Sequence, residues 1–377
     1  MSRRPPPDFP ESHDALDLSR RKHGRARLVR ASLVHVRRAA APYATATRIA
    51  LARLVRHRLA HLGLMLLAAM FFVAVFADFL ASDLPLACRY RGEVYLLPNL
   101  IHPAGLAGTT CTQMRKSRTA GDWAIEPVIA QGPGEIDEPG HVLSPPFTRG
   151  HPFGTDAVGR DLFARVVHGT RTALSIGLGG SIVLVLIGVG LGAASGFLGG
   201  LVDAVVSRTV ESLTAIPTLL LVLVVGALVP RPTTATLLWT IALTRWTELA
   251  RLVRADVLVA LGQDYVTAAR ALGASPGRIL TRHVLPNTIA PALVAAAFGV
   301  ASIVLMEAAV DFLRMGSPDA VASWGESLGE ARTHFGAWWL IVFPGAGLLT
   351  TLIALNLLGE AARDALDPKF FGPAENN

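Results

Sequence analysis

The sequence predicts an all-α membrane protein with six transmembrane helices. Hydrophobic residues make up 51% of its 377 residues and charged residues only 17%, whereas soluble domains carry about a quarter charged residues. The charge is also unevenly distributed, because residues 1–61 carry a net charge of +10 and the remainder carries −3. Lysine and arginine accumulate on the cytoplasmic side of membrane proteins, so a cytoplasmic N-terminus is expected. Nucleic-acid binding is not expected, because the basic segment lacks interleaved aromatic residues and a recognisable binding motif.

Apolar segments of about 20 residues are long enough to cross the hydrocarbon core of a bilayer. Five such segments cover residues 59–81, 173–197, 204–229, 289–313 and 337–358. Residues 233–253 contain charged side chains, yet the arginine-rich stretch that follows them needs a cytoplasmic position, which requires a sixth crossing there. Six spans place both ends of the chain in the cytoplasm.

The chain is therefore predicted to have five parts. They are a basic N-terminal segment (1–58), the first span (59–81), an extracytoplasmic insertion (82–150), a core with the other five spans (151–359) and a C-terminal tail (360–377). Within the second span, Gly188, Gly192 and Gly196 recur every four residues and form a small-residue face suited to close helix packing.

The insertion holds the two cysteines of the sequence, Cys88 and Cys111. Disulfides persist outside the cytoplasm, and a bridge that closes a loop of this length would stabilise the insertion by roughly 3 kcal/mol. Spacing along the chain does not fix the geometry that a disulfide needs. A bridge and two free thiols are therefore both consistent with the sequence.

The loop before the fifth span has the pattern of a helix, a stop and a second helix. Residues 267–272 are mostly small and favour a short helix. Gly273 can take the left-handed conformation that ends a helix, and Pro276 suits the first turn of the next one. By these rules alone, the loop is an ordinary helical hairpin.

The same loop resembles the EAA signature of permease subunits of ATP-binding-cassette (ABC) importers. The matching residues are Ala268, Ala269, Gly273, Leu285 and Pro286. Residues 264–287 as a whole are similar to those of dipeptide/oligopeptide-type permeases. Shorter matches in the same order extend the resemblance from about residue 46 to residue 370. They include Gly154-Thr155-Asp156, Gly159-Arg160-Asp161, Glu307-Ala308-Ala309 and Ser323-Trp324-Gly325.

This resemblance implies a type I ABC importer permease fold. Residues 260–276 would hold a coupling helix that docks into a groove of a cytoplasmic ATPase. The docking residues that the resemblance implies are Tyr265, Thr267, Ala268, Ala269, Gly273, Leu285 and Pro286. Thr267 stands where the signature has glutamate, so the polar contacts of docking are expected to differ.

The resemblance also implies a function, namely half of a pathway for peptides across a bacterial inner membrane. The implied partners are a second, related permease subunit, two ABC ATPase subunits and an extracytoplasmic substrate-binding protein. The sequence has no Walker A loop, because none of Lys22, Lys116 and Lys369 follows the required glycines. ATP and Mg²⁺ are therefore expected on the ATPase subunits, and no catalytic residue, metal site or cofactor is expected in this chain.

Four charged residues depart from the neutral side chains of the peptide-type pattern: Arg245, Glu248, Asp311 and Arg314. They form two acid–base pairs three residues apart, and Glu307 lies one helical turn before Asp311. Such pairs neutralise each other along one helix, which is a purely structural explanation. Ionisable residues at membrane depth also mark solute pathways. Our hypothesis is that these five residues line the pathway and tune it to a charged or zwitterionic solute.

Other transport functions are consistent with parts of this pattern. Within the same family, the solute could instead be nickel or an oligosaccharide. An ion-coupled secondary transporter is a different class, and it is disfavoured because the sequence shows no inverted repeat and few carboxylates within its spans.

Overall fold

The computed structural model describes residues 57–119, 121–136, 141–148, 150–229, 233–313 and 321–366. The predicted N-terminal segment, except for its last two residues, lies outside the described residues, as does the end of the predicted tail.

The described residues are mostly helical. The helices are α1 (Arg58–Val75), α2 (Ala77–Leu80), α3 (Pro98–Ile101), α4 (Cys111–Ser117), α5 (Leu162–Leu198), α6 (Gly200–Thr214), α7 (Thr218–Leu228), α8 (Thr234–Leu261), α9 (Asp264–Ala271), α10 (Pro276–Ile279), α11 (Leu285–Phe312), α12 (Trp324–Glu330) and α13 (Trp339–Leu366). The strands are β1 (Ala87–Tyr90), β2 (Glu93–Leu96) and β3 (Trp123–Ile125).

Four helical segments within the described residues are long and apolar enough to cross a membrane. They are α1, α5, the continuous stretch Pro276–Phe312 that contains α11, and α13. The pair α6–α7 provides a fifth if it counts as one broken span. The predicted fourth span forms the 28-residue helix α8, which is not among these segments because it carries several charged residues. The structure thus supports four or five of the six predicted spans.

The predicted third span, residues 204–229, is not one straight helix. α6 ends at Thr214, α7 begins at Thr218, and the two axes differ by 86°. Pro217 explains the break, because proline has no N–H to donate and disfavours the helical conformation in the residue before it. Pro217 itself is extended, with φ −53° and ψ 125°. Counting apolar residues alone did not reveal this break.

α5 and α8 pack closely along the predicted glycine face. A Cβ atom on Gly192 would lie 2.6 Å from the carbonyl oxygen of Ala250, and one on Gly196 would lie 2.9 Å from that of Arg254. A Cβ atom on Gly188 would lie 2.9 Å from the Cβ atom of Leu249. Only glycine permits this approach of the two backbones. The predicted role of these glycines in helix packing is therefore confirmed.

The main hydrophobic core lies where α5, α8 and α11 meet. Its fully buried side chains include Ile176 on α5, Ile241 and Val253 on α8, and Ile303 on α11. The cluster continues into the predicted coupling loop through Val266 of α9. The loop is therefore packed against the same core as the three long helices.

The insertion is not helical throughout, so the all-α prediction is wrong for this part. β1 pairs antiparallel with both β2 and β3, which gives a three-stranded sheet in the order β2-β1-β3. Cys88 and Cys111 are buried and are free thiols in the structure. Burial is the main cause that raises the pKa of the Cys111 thiol to about 12. A neutral, buried thiol reacts slowly with reagents in solution.

The glycine contact gives a direct test of the α5–α8 packing. Gly192→Ala forces a new Cβ atom against the Ala250 backbone, so overpacking should destabilise the protein by about 1–3 kcal/mol. Gly190→Ala is the matched control, because no atom lies within 4 Å of a Cβ at this position. Thermal unfolding in detergent should therefore show a lower melting temperature for Gly192→Ala and an unchanged melting temperature for Gly190→Ala. Equal melting temperatures would contradict the packing described above.

Candidate functional site

The predicted helix–stop–helix loop is confirmed. α9 covers Asp264–Ala271, and Gly273 follows it with φ +79° in the left-handed region. Ser275 precedes the next helix, and Pro276 occupies its first turn. A five-residue π-helical turn, Leu280–Val284, then connects this short helix to α11.

One face of α9 is exposed and the other is anchored in the core. Val266 is fully buried, and Ala269 is only 8% exposed. Thr267, Ala268 and Gly273 are exposed. α9 therefore exposes the small residues Thr267 and Ala268 beside the larger Tyr265 and Arg270, while its opposite face fixes its position.

The seven predicted docking residues do not all belong to that exposed surface. Ala269 faces the protein interior, and Leu285 is half-buried against the main core. The hydroxyl oxygen of Tyr265 accepts a hydrogen bond from the side-chain amide of Asn287 at 3.0 Å. Tyr265 therefore links α9 to the start of α11, beside the exposed Pro286.

The charged residues predicted in α8 form an ion pair. Arg245 Nη1 lies 3.2 Å from Glu248 Oε1, one helical turn away. The Arg245 side chain is 17% exposed and that of Glu248 is 56% exposed. The structural explanation, pairing along one helix, therefore holds for these two residues. The Glu248 carboxylate remains accessible within this pair.

The carboxyl groups predicted in α11 are both buried. Glu307 Oε1 accepts a hydrogen bond from the Ser323 hydroxyl at 2.9 Å, and Ser323 directly precedes α12. Asp311 is 9% exposed, one turn further along α11. Arg314, the predicted partner of Asp311, lies outside the described residues. Glu307 thus joins α11 to the segment that begins α12.

A buried ionic network that sequence reasoning missed fixes α12 to the start of α5. Arg165 Nη2 lies 2.6 Å from Glu326 Oε2, and Arg165 is only 1% exposed. Arg160 contacts Asp156 at 2.6 Å, Glu326 at 3.1 Å and Glu330 at 2.9 Å. The short sequence matches that include Asp156, Arg160 and α12 were the available signal. These matches supported the resemblance, but no contact between them was predicted.

The same network sets the protonation behaviour of Glu330. Burial, together with the neighbouring Asp156 carboxylate, raises the pKa of the Glu330 carboxyl, although Arg160 opposes this shift. The folded protein therefore binds this proton more tightly than the unfolded chain does. The contribution of Glu330 to folding stability falls as the pH rises from its ordinary pKa to the raised one.

The side chain of Trp324 packs next to the network, between α5 and α13. Its Nε1 donates a hydrogen bond to the carbonyl oxygen of Val166 at 3.0 Å. A Cβ atom on Gly169 would lie 2.8 Å from the indole ring, and one on Gly347 would lie 3.0 Å from it. The ring is therefore held between α5 and α13, which fixes the first residue of α12.

Within the described residues, no group of three or more histidine, cysteine, aspartate or glutamate side chains is placed to hold a metal ion.

Comparison with known proteins gives two family matches. Residues 185–372 match the family described as "Binding-protein-dependent transport system inner membrane component". Residues 45–91 match "N-terminal TM domain of oligopeptide transport permease C".

Similar curated proteins cover most of the chain's core. A putative peptide transport system permease protein of Brucella suis is 39% identical over 220 residues, which are 58% of this chain and 74% of that protein. The probable D,D-dipeptide transport system permease protein DdpC of Escherichia coli is 36% identical over 241 residues, 64% of this chain and 80% of that protein. The chain belongs to the family of binding-protein-dependent transport system inner membrane components. It is thus a multi-pass membrane permease subunit.

The oligopeptide transport system permease protein OppC of Bacillus subtilis is also similar to this permease. It is 36% identical over 227 residues, which are 59% of this chain and 73% of OppC. The family match begins within α5 and runs past α13. It therefore includes the coupling loop, both sets of charged residues and α12, whereas the sheet-containing part of the insertion lies mostly outside both family matches.

The ionic network predicts that α12 depends on one buried arginine. Arg165→Gln removes the closer of the two arginines that contact Glu326, and Arg160 remains at 3.1 Å. Breaking a fully buried ion pair costs about 3–5 kcal/mol, and the remaining contact and the 33% exposure of Glu326 lower this cost. The matched control is Arg208→Gln, whose side chain is 84% exposed and pairs with Glu211 on the surface of α6. An exposed pair is worth about 1 kcal/mol or less. Thermal unfolding of the two variants in detergent should therefore differ by several degrees. A similar small shift in both would show that the network does not carry this stability.

Proposed function

We propose that this permease forms half of the transmembrane pathway of an ABC importer for peptides. The relatives that are named as peptide, dipeptide or oligopeptide permeases support this substrate class. The observation that carries the coupling role is α9, which exposes Thr267 and Ala268 on one face and is anchored in the core by Val266 on the other. Such a surface suits another protein that must transmit a push to the core.

The proposed topology has six spans with both termini in the cytoplasm of a bacterial cell. α8 serves as the fourth span, since its 28 residues extend about 42 Å and its glycine contact holds it beside α5. α9 directly follows α8 and faces the cytoplasm, while the insertion 82–150 and α12 lie on the outer side.

In the proposed mechanism, closure of two ATPase subunits moves α9. Val266, Ile279 and Val284 are buried in the main core, so this movement reaches α8 and α11 directly. ATP and Mg²⁺ bind to the ATPase subunits. A second, related permease completes the pathway, and an extracytoplasmic binding protein delivers the solute.

The charged residues of the spans are candidate pathway residues. Arg245 and Glu248 on α8 are the stronger pair, because the Glu248 carboxylate is more than half exposed. Glu307 and Asp311 are buried towards α12, so their contribution is to shape the outer end of the pathway. Arg314 is included as the predicted partner of Asp311.

Co-purification tests the assembly directly. Mild detergent extraction of this permease from its native membrane, followed by mass spectrometry, should recover a second permease and ATPases with Walker A motifs. The recovered complex, together with its binding protein in proteoliposomes, should take up short peptides only when ATP is present. Recovery of this chain alone after cross-linking, or uptake without ATP, would contradict the proposal.

Gly273 should be required for coupling. Gly273→Asp adds a charge and a side chain at the exposed stop after α9, where φ is +79°, and should abolish substrate-stimulated ATP hydrolysis while leaving membrane insertion intact. Gly336→Asp is the control, because it adds the same side chain where no atom lies within 4 Å, in the segment proposed to be extracytoplasmic. Retained stimulation in Gly273→Asp would refute the docking role, as would equal loss in both variants.

A further inference from the structure

A cavity of about 210 Å³ lies where the bend between α6 and α7 faces α8. It is too small for a whole drug-sized ligand, but it can hold the end of a chain molecule. Its lining is polar for a membrane segment, since it includes Thr214, Thr218, Thr247, Glu248 and Arg251.

In the proposed topology, the bend lies within the thickness of a bilayer. α6 has 15 residues and extends about 22 Å, compared with a hydrocarbon core of roughly 30 Å. Non-helical backbone at such a depth is tolerated where it is buried in protein or lines a water-filled cavity. The break at Pro217 opens onto the cavity, so water or a solute can reach this point.

Most of the charged side chains around the cavity form ion pairs. Arg245 pairs with Glu248, and Arg208 pairs with Glu211. Arg254 forms two contacts with Asp203, at 2.6 Å and 2.7 Å. Among the described residues of this cleft, Arg251 is the one arginine without a carboxylate partner.

Arg251 is placed to meet a solute on either side. It lines the cavity at the bend and also a neighbouring cavity of about 250 Å³ between α6 and α8, which includes Glu211 and Arg254. Arg251 lies ten residues before the end of α8, which is about 15 Å along the helix axis. An uncompensated arginine at that depth is costly unless it faces water or an anion.

We propose that Arg251 binds the terminal carboxylate of the transported solute in the cavity at the α6–α7 bend. The guanidinium group supplies paired N–H donors that match the two oxygens of a carboxylate. The first turn of α7 lacks a capping side chain, and its residue Thr218 lines the same cavity. Glu248 is already paired with Arg245, so Arg245, Glu248 and Arg251 together carry a net charge of +1. One carboxylate of a solute neutralises this charge. The assignment rests on the proposed function in that the solute is a peptide.

Uptake by the complete importer in proteoliposomes tests the assignment with two probes, trialanine and trialanine amide. Arg251→Gln should lower the initial rate of trialanine uptake about tenfold below saturation, the effect of losing a charge-assisted hydrogen bond. The rate for the amide should stay within about twofold of the parent complex, because the amide has no carboxylate to bind. Arg89→Gln, at an exposed arginine of β1 outside this cleft, should leave the ratio of the two rates unchanged.

Each rate is compared with that of the parent complex for the same probe, so delivery by the binding protein cancels. Equal proportional losses for trialanine and its amide in Arg251→Gln would overturn the carboxylate assignment. Unchanged uptake of both probes would overturn it as well.

A second measurement examines the cavity without transport. Ile216 lies in the bend, lines the cavity and is 48% exposed, so Ile216→Cys provides a thiol beside Arg251. The native Cys88 and Cys111 are 1% and 2% exposed and should contribute little background. In the detergent-solubilised complex, an anionic methanethiosulfonate reagent should be favoured over a cationic one. Adding Arg251→Gln should lower that preference about fivefold.

Trialanine should also slow the labelling of Ile216→Cys when Arg251 is present, and trialanine amide should not.

The peptide function and the anion site can then fail separately. If the charge preference depends on Arg251 but the parent complex does not transport trialanine, the peptide function is wrong and the anion site stands. If the charge preference does not change in Arg251→Gln, the anion site is wrong whatever the importer transports.

Discussion

The close approach of α5 and α8 is the contact on which the rest of this structure depends. α8 carries arginines and a glutamate and is the least apolar of the long helices, so burial in lipid alone does not hold it in place. Gly192 and Gly196 let its backbone come within van der Waals distance of α5. Association in lipid relies on such packing, because lipid tails are as apolar as the side chains. α8 is therefore held by shape, which frees its other faces for polar residues.

Polar groups in the long helices find partners in three different ways. Arg245 and Glu248 pair along one helix, whereas Arg254 reaches across to Asp203 on α6, whose carboxylate also accepts a hydrogen bond from Ser195. Glu307 uses the hydroxyl of Ser323. The bilayer core offers no hydrogen bonds, so charged side chains there need partners within the protein. These pairings account for most of the charge near the cleft. Arg251, which has no carboxylate partner, lies in the part of α8 that lines two cavities.

Much of this arrangement could be predicted from the sequence where local rules decide the structure. The stop at Gly273, the start at Pro276 and the glycine face of α5 follow from backbone sterics and spacing, and all were correctly predicted. The break at Pro217 used the same rules but was missed, because a long apolar run was taken as one span. Pro217 was visible in the sequence, but the length of the apolar run was given more weight than the proline within it.

Other features depend on contacts between distant parts of the chain. The buried network of Arg165 and Glu326 joins residues 161 positions apart, and nothing in local spacing indicates it. The strands of the insertion were missed because its proline- and glycine-rich composition resembles a loop. The inward orientation of Ala269 also depends on tertiary packing, since its signature position says only that the residue is small.

The continuous α8 connects the coupling loop to the cleft. It runs without a break from Thr234 to Leu261, and α9 follows after only two residues. Its backbone is locked against α5 at Gly192, so α8 cannot slide along α5 without a steric clash. In the proposed mechanism, a push on α9 therefore moves α8 and α5 together as one unit. The opposite side of the cleft is the broken helix α6–α7, which changes direction by 86° and whose two helices bury one side chain each, Val210 and Val222. Opening and closing of the cleft are thus expected at the bend, where Arg251 lies between two cavities.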